Sequence, residues 1–105
     1  EGPRRYEIAG PFETDDGDVL TNWALDGRGI VLKPLFEVAE YLRDGRLVPV
    51  ARATPPLSAQ LSCLTQDRRL MDPKIRAFTD FIVARCRTDL ARATETAREF
   101  LPAAQ

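Results

Sequence analysis

Histidine is missing altogether from the 105 residues. Its absence removes the commonest general acid–base group and the Ser/His and Cys/His pairings of hydrolases, so no catalytic residue is assigned and the chain does not read as an enzyme. Cysteine is scarce. Cys63 and Cys86 stand in different segments, without the spacing that holds a metal, and read as reduced thiols buried in a core. No apolar run approaches the roughly 20 residues of a membrane span, and Glu1-Gly2-Pro3 opens no charged-then-apolar leader. The expected location is therefore cytoplasmic, with no membrane partner. Excess positive charge is lacking too: 15 Lys and Arg stand against 16 Asp and Glu, too balanced for the concentrated field that phosphate binding needs. Arg68-Arg69 is too short a basic cluster to change this and reads as solvated surface. An initiator methionine is also lacking, so a chain starting at Glu1 reads as part of a longer protein.

What remains is ordinary globular material, 44% hydrophobic and 30% charged. Arg4 to Ile8 has the character of a short strand, and Gly10-Pro11 breaks it. Asp15 and Asp16 are natural helix caps, and Val19, Leu20, Trp23 and Ala24 recur at helical spacing over Asp18 to Leu25 before Gly27 supplies a left-handed stop. Gly29 to Leu32 is a continuous apolar run of the kind found in a strand covered on both faces. Pro34 suits a first helical position, Leu35, Val38, Ala39 and Leu42 make one stripe, and Gly45 closes that helix. Leu47 to Val50 reads as a further strand, at a sheet edge because of Pro49. The alternation from Arg4 to Val50 gives βαβαβ, hence an α/β fold with a mostly parallel sheet and helices on both faces.

Thr54-Pro55-Pro56 is a stiff connector. Beyond it, Leu57, Ala59, Leu61 and Cys63 alternate with Ser58, Gln60 and Ser62, the pattern of a strand with one buried face. Asp72-Pro73 caps and opens a helix with Ile75, Phe78, Ile82 and Cys86 on one stripe and Phe81 beside it. Leu90, Ala93, Ala97 and Leu101 mark a second helix ending near Pro102, joined or kinked around Arg87 to Asp89.

The succession Thr14 to Leu20, Trp23-Ala24-Leu25, Gly27 to Pro34, Val38 to Leu42, Gly45 to Val50 and Asp72 to Phe81 resembles the effector-binding region of LysR-type transcriptional regulators. Ala51-Arg52 and Thr65-Gln66 depart from that pattern. The resemblance implies an incomplete type 2 periplasmic-binding-protein-like unit. Residues 1–53 would be part of the second effector subdomain, 54–86 a return segment completing the first, and 87–105 a helical tail. It also implies a small-molecule effector, a homodimer or tetramer, no cofactor, and contact with DNA only through an N-terminal winged helix-turn-helix outside this chain. A transporter's solute-binding protein is the alternative with the same architecture.

In open α/β sheets ligands sit where strands end and helices begin. Two such places occur here, Phe12-Glu13-Thr14 and Lys33-Pro34-Leu35-Phe36, and in the resembled family such positions line the effector cleft. Thr14 offers a hydroxyl to a polar group, Phe12 and Phe36 cover an apolar or aromatic body, and Lys33 pairs with the carboxylate of an organic acid. The competing reading makes both Phe residues core and Lys33 a solvated charge. Asp15, Asp16 and Asp18 lack the spacing of a calcium loop, so capping is their assignment and no metal site is expected.

Overall fold

Among the described residues three α-helices form where local chemistry starts and stops them. The computed structural model describes residues 2–66 and 72–101, and Arg68-Arg69 and Pro102 lie outside the described residues. Helix α1 runs Gly17–Leu25, α2 runs Leu35–Arg43, and α3 runs Pro73–Thr96, followed by a single 3-10 turn at Arg98–Phe100.

Asp16 caps α1, its Oδ1 accepting from the amides of Asp18 at 2.8 Å and Val19 at 3.2 Å. Asp72 caps α3 in the same way, accepting from the Lys74 amide at 2.8 Å. Both α1 and α2 end in the same glycine motif. Gly27 and Gly45 take left-handed φ values of 72° and 74°. The amides of Arg28 and Arg46 then reach back to the carbonyls of Trp23 and Tyr41, each at 2.9 Å, so the last turns keep their hydrogen bonds.

Helix α3 is continuous across Arg87 to Asp89, where a joint or kink is expected from the sequence. Nothing there breaks it: neither Gly nor Pro occurs between Pro73 and Thr96, and Arg85 Nε donates to Asp89 at 3.1 Å across the turn in question. Pro34 occupies the cap of α2 rather than its first turn, with φ −58° and ψ 140°.

The core lies between α2 and α3, which form the one extended helix–helix interface among the described residues. Val38, Ala39 and Leu42 of the expected α2 stripe meet Ala93 and Ala97, with Leu35, Tyr41, Leu47 and Phe100 packed around them. Ala97 is completely buried. The tail beyond Arg87 therefore supplies two of these five buried core residues, Ala93 and Ala97.

The α/β expectation fails. No strand and no sheet occurs among the described residues. The segments read as strands, Arg4 to Ile8, Gly29 to Leu32, Leu47 to Val50 and Leu57 to Leu64, form no ladder. Most of their apolar side chains face water: Ile8 is 90% exposed, Ile30 82%, and Leu57 79%, while Leu47 packs against the helical core. The physical reason is that apolar runs and alternation describe side chains, whereas a ladder needs a second backbone at about 4.8 Å. Here no such neighbour is in register. The thiol expectation also fails for Cys63, which is exposed, while Cys86 is half-buried. Ile75, Phe78 and Phe81 stand exposed on the first half of α3 instead of forming its buried stripe. The radius of gyration, 17.1 Å, accordingly exceeds the roughly 13 Å of a compact domain of this length.

Candidate functional site

The approach to α1 is built by short side chains turning back on the backbone. Thr14 Oγ1 accepts from the Asp16 amide at 3.1 Å, which fixes the entry turn while leaving the threonine proton to donate elsewhere. Just upstream, the Phe12 ring packs on Trp23 of α1 with centroids 5.3 Å apart and planes tilted by 48°, within the range of favourable aromatic pairs. Phe12 is nonetheless 52% exposed. It is a groove wall, not a core residue. That groove has a volume of about 760 Å³ and is lined by Phe12, Glu13, Leu20, Trp23, Arg28 and Ile30 among others. It is an apolar floor with one carboxylate and one guanidinium at its edge. Arg28 itself lies 3.7 Å from Asp26, both largely exposed, so that pairing is weak.

The approach to α2 is built differently. Leu35 turns into the core, and Phe36, 45% exposed, lines a second groove of about 480 Å³ with Leu61, Arg85, Cys86, Asp89 and Arg92. Lys33, next before the α2 cap, has a side chain that is only 8% exposed. Its ammonium donates to the Gly17 carbonyl at 3.1 Å and pairs with the Glu37 carboxylate one turn along α2. The same carbonyl accepts from Thr21 Oγ1 at 3.1 Å, and Thr21 is the buried polar residue of α1. Burying an ammonium costs several kcal/mol unless it is paired. Lys33 meets that condition with one carboxylate and one carbonyl.

The seven residues singled out from the sequence thus fall into three places. Phe12 and Glu13 share the α1 groove. Phe36 lines the α2–α3 groove, Leu35 belongs to the core, and Pro34 caps α2. Thr14 and Lys33 both contact the start of α1, through the Asp16 amide and the Gly17 carbonyl. Lys33 is buried and paired with Glu37 instead of being the solvated charge of the competing reading. Sequence reading missed the contributions of Gly17, Trp23 and Arg28 here. Glu37 had a usable signal, since it lies four residues after Lys33 at the start of a helix. The Gly17–Lys33 contact had none, because 16 residues separate the pair. Asp15, Asp16 and Asp18 gather no metal-holding cluster among the described residues.

Comparison with known proteins adds a family. The family described as LysR substrate binding domain matches residues 2–87. The chain is similar to the HTH-type transcriptional activator TtdR of Escherichia coli K12, 27% identical over 92 residues, which cover 88% of this chain and 29% of TtdR. It is similar to the HTH-type transcriptional regulator DmlR of the same strain, 38% identical over 50 residues, covering 48% of this chain and 16% of DmlR. The HTH-type transcriptional regulator CrgA of Neisseria meningitidis is 28% identical over 79 residues, covering 74% of this chain and 26% of CrgA. The chain thus spans less than a third of the length of these relatives. No solved structure matches it.

Proposed function

Because the chain belongs to the LysR substrate-binding domain family, matched over residues 2–87, we propose that it is the effector-sensing part of a LysR-type transcriptional regulator. A small molecule, an organic acid or an aromatic, binds where the chain enters α1 and α2. No bond is made or broken. The effector acts by preferring one arrangement of the sensor over another, and the population shift can be no larger than that difference in affinity. A winged helix-turn-helix outside this chain converts the shift into altered contact with DNA, and the sensor works as a homodimer or tetramer. The matched relatives are all transcriptional regulators, which favours this reading over a transporter's solute-binding protein.

Within this reading Phe12, in the α1 groove, and Phe36, in the α2–α3 groove, each offer an apolar wall to an effector, and Glu13 and Thr14 supply polar contacts at the α1 entry. Lys33, Pro34 and Leu35 shape the entry to α2. The observation that carries the reading is the family match across most of the chain. Its test is a thermal-shift screen against organic acids and aromatics. An effector at 100 times its Kd stabilises the protein by about 2.7 kcal/mol, which is readily seen as a rise in Tm. The ligand should be recovered chemically unchanged. Thr14→Val is expected to abolish the shift, and a shift left intact would take Thr14 out of the site.

A further inference from the structure

Helix α1 shares no extended interface with α2 or α3, since the one extended helix–helix contact among the described residues joins α2 to α3. Yet Lys33, immediately before the α2 cap, reaches the first residue of α1 and buries its ammonium there. We propose that Lys33 is a positioning residue: a strap that sets the spacing between the α1 entry and the α2 entry, and not itself a contact to the effector. The proposal rests on the proposed effector site only for the purpose of the strap. The strap itself can be tested without any ligand.

Three observations carry it. First, both neighbours of the ammonium are already supplied by the chain, the Gly17 carbonyl from α1 and the Glu37 carboxylate from α2. Two of its three donors are thus taken and its charge already faces one carboxylate, which weakens its pull on a second. Second, the Lys33 side chain is 8% exposed, so little of it is open to a ligand arriving from solvent. Lys33 lines neither of the two grooves described above. Third, position 17 is shaped to admit the strap. A Cβ added at Gly17 would lie 2.8 Å from Lys33 Nζ, closer than atoms tolerate. The crowding at position 17 comes from the lysine and not from the glycine's own backbone, for its φ is not in the left-handed region. Because Nζ is the end of a flexible chain, Gly17→Ala would push the ammonium aside without breaking α1.

The strap can therefore be cut from either side. In the 105-residue chain with Cys63→Ser and Cys86→Ser, spin labels are placed through Asp15→Cys and Phe36→Cys, one at each entry, and their distance distribution is measured by pulsed electron resonance in the absence of any ligand. Lys33→Met is expected to widen that distribution at least twofold. Gly17→Ala should do the same, and the double variant no more than either alone. Lys33→Arg, which keeps the charge and can still donate to the Gly17 carbonyl, should restore the narrow distribution. Circular dichroism checks that helix content is retained. If Lys33→Met proves unfolded, Gly17→Ala and Lys33→Arg still decide the matter. An unchanged distribution in Gly17→Ala with Lys33 displaced, or in folded Lys33→Met, overturns the strap. Failure to find an effector would instead count against the sensor reading, and leaves this result standing.

Discussion

Single residues set several of the helix ends, Asp16 and Gly27 for α1, Gly45 for α2 and Asp72 for α3, and their worth can be measured one at a time. Asp72 satisfies an otherwise unpaired amide at the start of α3, so Asp72→Ala is expected to cost about 1 kcal/mol, read as a fall in Tm with α3 fraying at its start. Gly45 holds φ at 74°, where a Cβ meets the following carbonyl. Gly45→Ala is expected to destabilise by about 1–2 kcal/mol, although open space surrounds the site. Denaturant unfolding of both variants checks the two values. These residues were readable from sequence because a cap or a left-handed stop acts on its own few neighbours. The contact of Lys33 with Gly17 could not be read that way, since it depends on how two distant turns meet.

Elements divide between those that carry their own bonds and those that need a partner. Each helix closes its hydrogen bonds internally, so the stripes and stops of α1 and α2 translate directly into structure, and the absence of any breaker carries α3 through Asp89. A strand has no such autonomy. The apolar run Gly29 to Leu32 and the alternating Leu57 to Leu64 segment have the side chains of strands, but no neighbouring backbone completes them, and Leu32 is 75% exposed. The candidate site was legible to the same degree. Its two entries are defined by Asp16 and Pro34, at the beginnings of α1 and α2, whereas which side chains share a groove depends on packing that no local pattern encodes. The α2–α3 interface yields its own prediction. Ala97 is fully buried against α2, so Ala97→Leu overfills the seam and is expected to cost about 1–3 kcal/mol. Removing a core side chain by Leu42→Ala should cost about 2–5 kcal/mol. A loss of similar size on truncation after Arg87 would show that the tail is part of the core.

Across the whole molecule the balance is tilted toward open surface. The folded chain exposes 9647 Å², against about 5,900 Å² for a typical monomer of 11.8 kDa. Less area is therefore released on unfolding, and because the urea m-value follows that area, the chain is expected to unfold with a shallower slope than compact proteins of its length. Urea titration followed by circular dichroism measures it. A slope in the ordinary range would mean that in solution the extended segments are covered. The proposed effector should add to stability in proportion to the logarithm of its concentration, which separates specific binding from a general solute effect.

Trp23 is the chain's sole indole, and it rests against Phe12 at the wall of the larger groove. The protein thereby carries a native lamp at the place where a guest would arrive. Its emission should change in colour or intensity when that groove is filled, and stay constant when binding happens elsewhere, so occupancy can be followed without attaching any dye.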